Sequence, residues 1–222
     1  MNLQQLVTQY NEAIFDTDCK QALKIVRDAE RSGVSPEDIV LRIVLPAMDL
    51  MVKSISEGGD ANLAQHFMTA QIADTVTAEM IPKFKRAPKV KGRVVIGNAV
   101  GDLHALGKRI VIGCLRARML EVKDLGLNVS PEVFVDEAVA CGAQVIGISA
   151  MMVHTARGEN GCLRVREILH ERGLEGKIRI IVGGAAFRFN HDLFKTVHAD
   201  TWAADAITAG KVIEDLIQEV QS

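Results

Sequence analysis

Val145-Ile146-Gly147-Ile148 and Ile178-Arg179-Ile180-Ile181-Val182 are two short runs dominated by β-branched side chains. Neither alternates apolar with polar, as a strand with one wet face would. Near-continuous apolar runs of this length fit strands covered on both faces of a parallel sheet. Working outward, strands are predicted at residues 93–97, 121–125, 145–150, 178–182 and 201–203. Helix-period segments lie between them, and a last one runs from about residue 205 to 220. β units that alternate with helices predict an open, doubly wound sheet. Such sheets take ligands beyond the C-terminal ends of their strands, so the loops there are where chemistry is to be sought.

The N-terminal part has a different period. Residues 16–18 can cap a helix that continues to about Arg31, with Ala22, Leu23, Ile25, Val26 and Ala29 at helical spacing and Gly33 after its end. Ser35-Pro36-Glu37-Asp38 restarts a helix: a hydroxyl cap, proline at the first helical position, then acids near the positive end of the dipole. Pro46 should bend or divide the apolar helix that follows. Gly58-Gly59 makes a break, and Asp60 can cap a last helix to about Met80. A small helical bundle is expected. Residues 82–93 then bring two prolines and six basic side chains with no apolar face. They read as a solvated tether, or as a docking strip for a phosphate or a partner protein. The predicted organisation is a helical domain over residues 1–84, a linker over 85–92 and an α/β domain over 93–222.

Composition narrows the function. Hydrophobic residues make up 48% and charged residues 24%, an ordinary globular balance with enough apolar material for a core. The net charge of −2 and the 4% of aromatics argue against a nucleic-acid partner. Cys19, Cys114, Cys141 and Cys162 are scattered, without the clustering a zinc site needs, and read as buried thiols suited to a reducing compartment. The N-terminus does not look like a signal peptide, and no apolar run is long enough to span a membrane. A cytoplasmic protein is expected.

Three loops at the ligand edge carry candidate chemistry. The first reads Asn98-Ala99-Val100-Gly101-Asp102-Leu103-His104-Ala105-Leu106-Gly107. Asp102 can hydrogen-bond one imidazole nitrogen of His104 while the other faces a metal, and Gly107 would allow tight entry into the next helix. Read alone, a DxH in a loop is more often surface decoration. Ser149-Ala150-Met151 ends the third strand; a hydroxyl there can also satisfy local backbone. The fourth strand ends Val182-Gly183-Gly184, where paired glycines admit a ligand close to the backbone or simply make a turn.

Taken in order, Asp102-Leu103-His104-Ala105-Leu106-Gly107, Ser149-Ala150-Met151 and Gly183-Gly184 resemble the signature of the cobalamin-binding domain of methionine synthase, corrinoid methyltransferase proteins and some mutases. The spacing from Gly107 to Ser149 is that of the family. Val44-Leu45-Pro46-Ala47-Met48-Asp49 and Glu57-Gly58 resemble the helical cap that precedes this domain in corrinoid methyltransferase proteins. The resemblance implies a Rossmann-like, flavodoxin-like five-stranded parallel sheet under a helical cap.

It also implies roles. Cobalamin, a cobalt corrinoid, would bind with its own base displaced and His104 as the lower ligand of cobalt. Asp102 would orient His104, and Thr155 would supply a further hydroxyl to that relay. Gly101, Leu103, Ala105, Leu106 and Gly107 would meet the cofactor with them. Ser149, Met151, Val182, Gly183, Gly184 and Trp202 would line the slot for the detached tail, and His154 would reach an amide arm of the ring. The function implied is that of a corrinoid subunit rather than a complete enzyme. It would shuttle a methyl group between a donor-specific methyltransferase and an acceptor methyltransferase, with a reductive activase as a further partner. A cobalamin sensor or storage protein and the small subunit of an adenosylcobalamin mutase are the alternatives. Met151 stands in place of the usual leucine. Residues 157–161 make a polar insertion, and Thr201-Trp202 replaces Gly-Tyr. His66 is expected on the surface of the last cap helix, and His170, His191 and His198 on exposed helices or loops.

Overall fold

The computed structural model of the chain describes residues 2–56, 62–86 and 89–222. The chain packs as two units, one formed by residues up to Lys89 with Gly113–Met119, the other by Val90–Ile112 with Leu120–Ser222.

The first unit contains α1 (Leu3–Phe15), α2 (Cys19–Arg31), α3 (Pro36–Asp38), a π-helical stretch Ile39–Val44, α4 (Leu45–Ser56), α5 (Leu63–Met80) and a 3-10 turn Ile81–Lys83. Its core includes Leu6, Tyr10, Ile14, Ile43, Met48 and Ile72, all fully buried. Asp18 starts α2 by accepting from the Gln21 N–H at 2.9 Å, and Ser35 starts α3 by accepting from the Asp38 N–H at 3.1 Å. Pro46 does not divide its helix. Instead α3, the π stretch and α4 run on without a break, and the Leu45 N–H reaches back to the Val40 carbonyl. Widening the turn ahead of Pro46 accommodates a residue with no N–H and a ring that crowds the preceding turn.

Gly58, Gly59 and Asp60 lie outside the described residues. The cap of α5 is Asn62 rather than Asp60: its side chain accepts from the Gln65 N–H at 3.0 Å, and the Gln65 side chain accepts from the Asn62 N–H at 2.6 Å. This reciprocal pair satisfies two helix-end donors at once. His66 is not on the surface as expected. It is 2% exposed, with Nε2 3.1 Å from the Met51 carbonyl oxygen.

The second unit runs β1 (Arg93–Asn98), α6 (Ala105–Ala117), β2 (Glu121–Asp124), α7 (Pro131–Cys141), β3 (Val145–Ser149), α8 (Val153–Arg157), α9 (Cys162–Glu171), β4 (Arg179–Gly183), α10 (Ala185–Phe189), α11 (Leu193–Thr196), β5 (Thr201–Ala203) and α12 (Ala206–Gln221). The last residues of α6 belong to the first unit. The strands form one sheet in the order β2-β1-β3-β4-β5, every pair parallel. Val95 lies opposite Ile146, Ile146 opposite Ile180, and Val182 opposite Trp202. The sheet residues Val95, Ile146, Ile148, Ile180 and Val182 join Phe134, Val165 and Phe187 in the core. β2 is the exception to the buried pattern. It is an edge strand of mostly exposed residues, as its sequence Glu-Val-Lys-Asp allows.

The other edge strand, β5, is only three residues long and is held by the aspartate that precedes it. One Asp200 carboxylate oxygen accepts from the Ile180 N–H and from Arg166, both at 2.6 Å, and the other from Arg179 at 3.2 Å. The Asp200 N–H donates to the Ile180 carbonyl at 2.9 Å. Charge-assisted bonds to a half-buried carboxylate thus fasten β5 to β4 and α9. Asp200→Ala should lower the unfolding free energy by about 2 kcal/mol, read as an earlier urea midpoint by circular dichroism. An unshifted midpoint would show that β5 is held by other means.

Candidate functional site

β2 and β3 lie on opposite sides of β1, so the strand order reverses between β1 and β3. The loops that leave these two strands diverge, and the opening between them is where a doubly wound sheet accepts ligands. The sequence puts Asp102 and His104 in the first loop and Ser149, Ala150 and Met151 at the second.

A single carboxylate ties the two loops together. Asp102 is 1% exposed. Its Oδ1 accepts from the His104 N–H at 2.9 Å and from His104 Nδ1 at 2.8 Å, and its Oδ2 accepts from the Met151 N–H at 2.7 Å. Burial by itself raises the Asp102 pKa. The hydrogen bonds from the His104 backbone and ring, the Met151 N–H and the Asn98 side chain outweigh it, and the net value lies below the ordinary carboxylate range. The group is therefore an ionised, acceptor-only partner. That requires a proton on His104 Nδ1 and leaves Nε2 as the ring nitrogen not engaged by Asp102. The His104 side chain is 62% exposed, so this nitrogen is accessible.

The remaining predicted residues distribute around this pair. Gly101 lies in the turn before Asp102, and its N–H donates to the Asn128 side-chain oxygen at 2.8 Å. Leu103 and Leu106 present exposed apolar side chains, and Ala105 opens α6 half-buried. Gly107 falls in the first turn of α6, where an added Cβ would meet nothing within 4 Å. Tight helix entry does not explain that glycine. Among the described residues, no side chain or backbone fills the space it leaves.

Ser149 ends β3 half-buried. Met151 and His154 are exposed and line an open groove of about 620 Å³ with Met152, Val153, Ala185 and Phe189 among others. Thr155 is buried, but its hydroxyl donates to the Met152 carbonyl at 2.7 Å and so braces the turn into α8 rather than extending the Asp102–His104 pair. Val182 is part of the sheet core and exposes no side-chain surface. Gly183 ends β4, and Gly184 follows with φ +104°. A Cβ on Gly184 would come 2.5 Å from the Ala150 carbonyl oxygen, so the backbones of the second and third loops meet where that side chain would be. Trp202 is half-buried on β5 and stacks on His191, with ring centroids 4.9 Å apart. His170 and His198 are exposed, as expected.

Sequence reasoning missed three contributors. Asn98 is fully buried, and its amide donates to the His104 carbonyl at 3.1 Å. Asn128 holds the turn at Gly101 from the loop after β2, in a left-handed conformation with φ 53°. Asparagine is among the few side chains that adopt this conformation readily, which was the available signal. The Met151 N–H is a backbone donor, and no side-chain pattern announces it.

A family model described as the B12 binding domain matches residues 92–210. Trimethylamine corrinoid protein 1 of Methanosarcina mazei is 29% identical over 188 residues, 83% of this chain and 85% of that protein. Dimethylamine corrinoid protein 3 of Methanosarcina acetivorans is 31% identical over 186 residues, 83% of this chain and 84% of that protein. Among solved structures, the methanol:cobalamin methyltransferase complex MtaBC of Methanosarcina barkeri contains a similar chain. It aligns with a TM-score of 0.69 and 24% identity, over 96% of this chain and 80% of that one. The matched region takes in all three ligand loops and more than half of the sequence, and on that ground the chain belongs to the B12 binding domain family.

Proposed function

We propose that this chain is a corrinoid methyl carrier in which His104 is the lower ligand of cobalt and Asp102 holds that ligand in place. The cofactor is cobalamin, and the role is that of a corrinoid protein in a methyltransferase system. The observation that carries the finer reading is the exposed imidazole of His104, tied through Nδ1 to a buried, ionised carboxylate. A ligating histidine needs its far N–H engaged in this way, which sets the tautomer and raises the basicity of the ligating nitrogen.

The donor set fits the cofactor. Among the described residues no three His, Cys, Asp or Glu side chains gather as a metal cage. One imidazole does not hold a bare ion, so a metal bound at His104 must arrive with its other donors, as cobalt does in a corrin ring. Leu103, Leu106, Met151 and the groove beside it offer apolar surface for the ring, while the room at Gly107 and the bare backbone at Gly183 suit the displaced tail. When bound, cobalamin supplies the metal that accepts and releases the methyl group. The chain's own residues hold the ring, put a ring proton of His104 on Nδ1 and fix the direction of Nε2. A donor-specific methyltransferase, an acceptor methyltransferase and a reductive activase would act on it in turn. Four free thiols fit work in the cytoplasm. Among the described residues no helix is long and apolar enough to cross a membrane.

Three measurements test this reading. Protein reconstituted with hydroxocobalamin should show an absorption spectrum of imidazole-ligated cobalt, and His104→Ala should lose it; identical spectra in every cobalt state would refute ligation. Asp102→Asn should weaken cobalamin binding by roughly 10- to 100-fold. Because the folded pKa of Asp102 is depressed, its stabilising share is fully present above the unfolded value of about 3.8 and is lost as pH falls through the lower folded value. The gap in stability between wild type and Asp102→Asn should therefore be widest above the unfolded value of about 3.8 and close as pH falls through the lower folded value. Finally, Gly107→Ala should leave the cofactor-free protein as stable as wild type but impair cobalamin binding. Gly184→Ala should destabilise even the cofactor-free protein, by about 1–3 kcal/mol. The reverse pattern in thermal melts would overturn these assignments.

A further inference from the structure

A buried lysine holds a second loop against the one that carries His104. Lys108 lies in the first turn of α6, four residues after His104, and is 3% exposed. Its ammonium meets the Asp124 carboxylate and donates to the Gly126 carbonyl at 2.7 Å. The same Asp124 oxygen accepts from the Gly126 N–H at 2.9 Å, so both ends of this stretch after β2 are gathered on one cation. The Gly126 carbonyl is shared, accepting from the Asn98 N–H at 3.1 Å as well.

From that loop the hydrogen bonds run directly to the ligand loop. The Asn98 side chain donates to the His104 carbonyl at 3.1 Å. The Asn128 side chain accepts from the Gly101 N–H at 2.8 Å, and the Asn128 N–H donates to the Asp102 carbonyl at 3.2 Å. Asn128 makes both bonds from a left-handed conformation with φ 53°, which asparagine tolerates. The loop of residues 99–104 is thus braced from two directions, by the loop after β3 through Met151 and by the loop after β2 through Asn128.

Stability gives no reason for a cation at this position. Withdrawing an ammonium from water is costly even when it is paired. In the first turn of a helix it also faces the positive end of the dipole. A methionine would fill the same space with neither penalty. It would orphan nothing, because Asp124 remains partly exposed and the Gly126 carbonyl keeps its bond from Asn98. We propose that Lys108 is a positioning residue for His104, locking the loop after β2 so that the backbone of Gly101, Asp102 and His104 is set before the cofactor arrives. This inference rests on the reading of His104 as a cobalt ligand.

The test uses the full chain carrying Lys108→Met, and separately Asp124→Asn in case the first variant folds poorly. In cofactor-free protein, amide hydrogen exchange at Gly101, Asp102 and His104 should quicken by about 10-fold in both variants, with the urea midpoint kept in Lys108→Met. With hydroxocobalamin, both variants should show a smaller fraction of imidazole-ligated cobalt and about 10-fold weaker binding. Unchanged exchange at those amides overturns the proposal, as does faster exchange throughout the α/β unit. Faster local exchange with wild-type spectrum and affinity makes the lysine merely structural and overturns it too. If wild type and His104→Ala share one spectrum, the ligation reading itself has failed and the positioning role falls with it. Failure of the lysine proposal alone leaves the wild-type spectrum imidazole-ligated.

Discussion

One buried carboxylate organises the functional end of this molecule. Asp102 spends one oxygen on the backbone and ring of His104 and the other on the backbone of Met151. A parallel sheet with reversed strand order leaves an opening between the loops after β1 and β3, and nothing in the sheet itself fixes how wide that opening is. The carboxylate spans it. Because the group is ionised and almost wholly withdrawn from water, loosening either loop would leave a charge or a buried N–H without its partner, which is expensive. The same bond that directs the imidazole therefore sets the geometry of the ligand edge.

Around that bond the chain divides its tasks by element. The apolar strands β3 and β4 supply rigidity, and their C-terminal ends are where side chains shrink to alanine and glycine. Two of the glycines singled out by sequence stand in different surroundings. At Gly184 the missing side chain makes room for the chain's own backbone at Ala150; at Gly107 an added Cβ would meet open space. A motif that reads as one signature is thus only in part a folding requirement.

The sheet was legible because β-branched runs covered on both faces have few other fates, and all five predicted strands were found within a residue or so of their expected ends. The Asp102–His104 pair became legible only with Ser149-Ala150-Met151 and Gly183-Gly184 in order behind it, since its own spacing also fits surface decoration. Other features were not, for reasons that can be named. Asp60 and Asn62 are both competent helix caps, and only the reach of Gln65 back to Asn62 decides between them. His66 looked superficial because apolar and polar residues are spread around α5, so the helix has no marked wet face in sequence and its packing decides which side is covered. Thr155 sits at the spacing of a relay hydroxyl, yet a nearer carbonyl captures it. Pro46 was expected to interrupt, but a wider turn absorbs it. Lys108 passed unnoticed because an isolated lysine on a helix is ordinary; only its first-turn position, against the dipole, was a hint.

The methionines at the groove carry a further consequence. Met151 and Met152 are exposed along the groove, which in the proposed reading lies beside the corrin ring. Such sulfur atoms are open to peroxide, and a sulfoxide is polar and bulkier where the seat is apolar. Air and spent reductant would thus age this protein from its binding face inward, without touching the sheet beneath, and a sample that has lost its colour need not have unfolded.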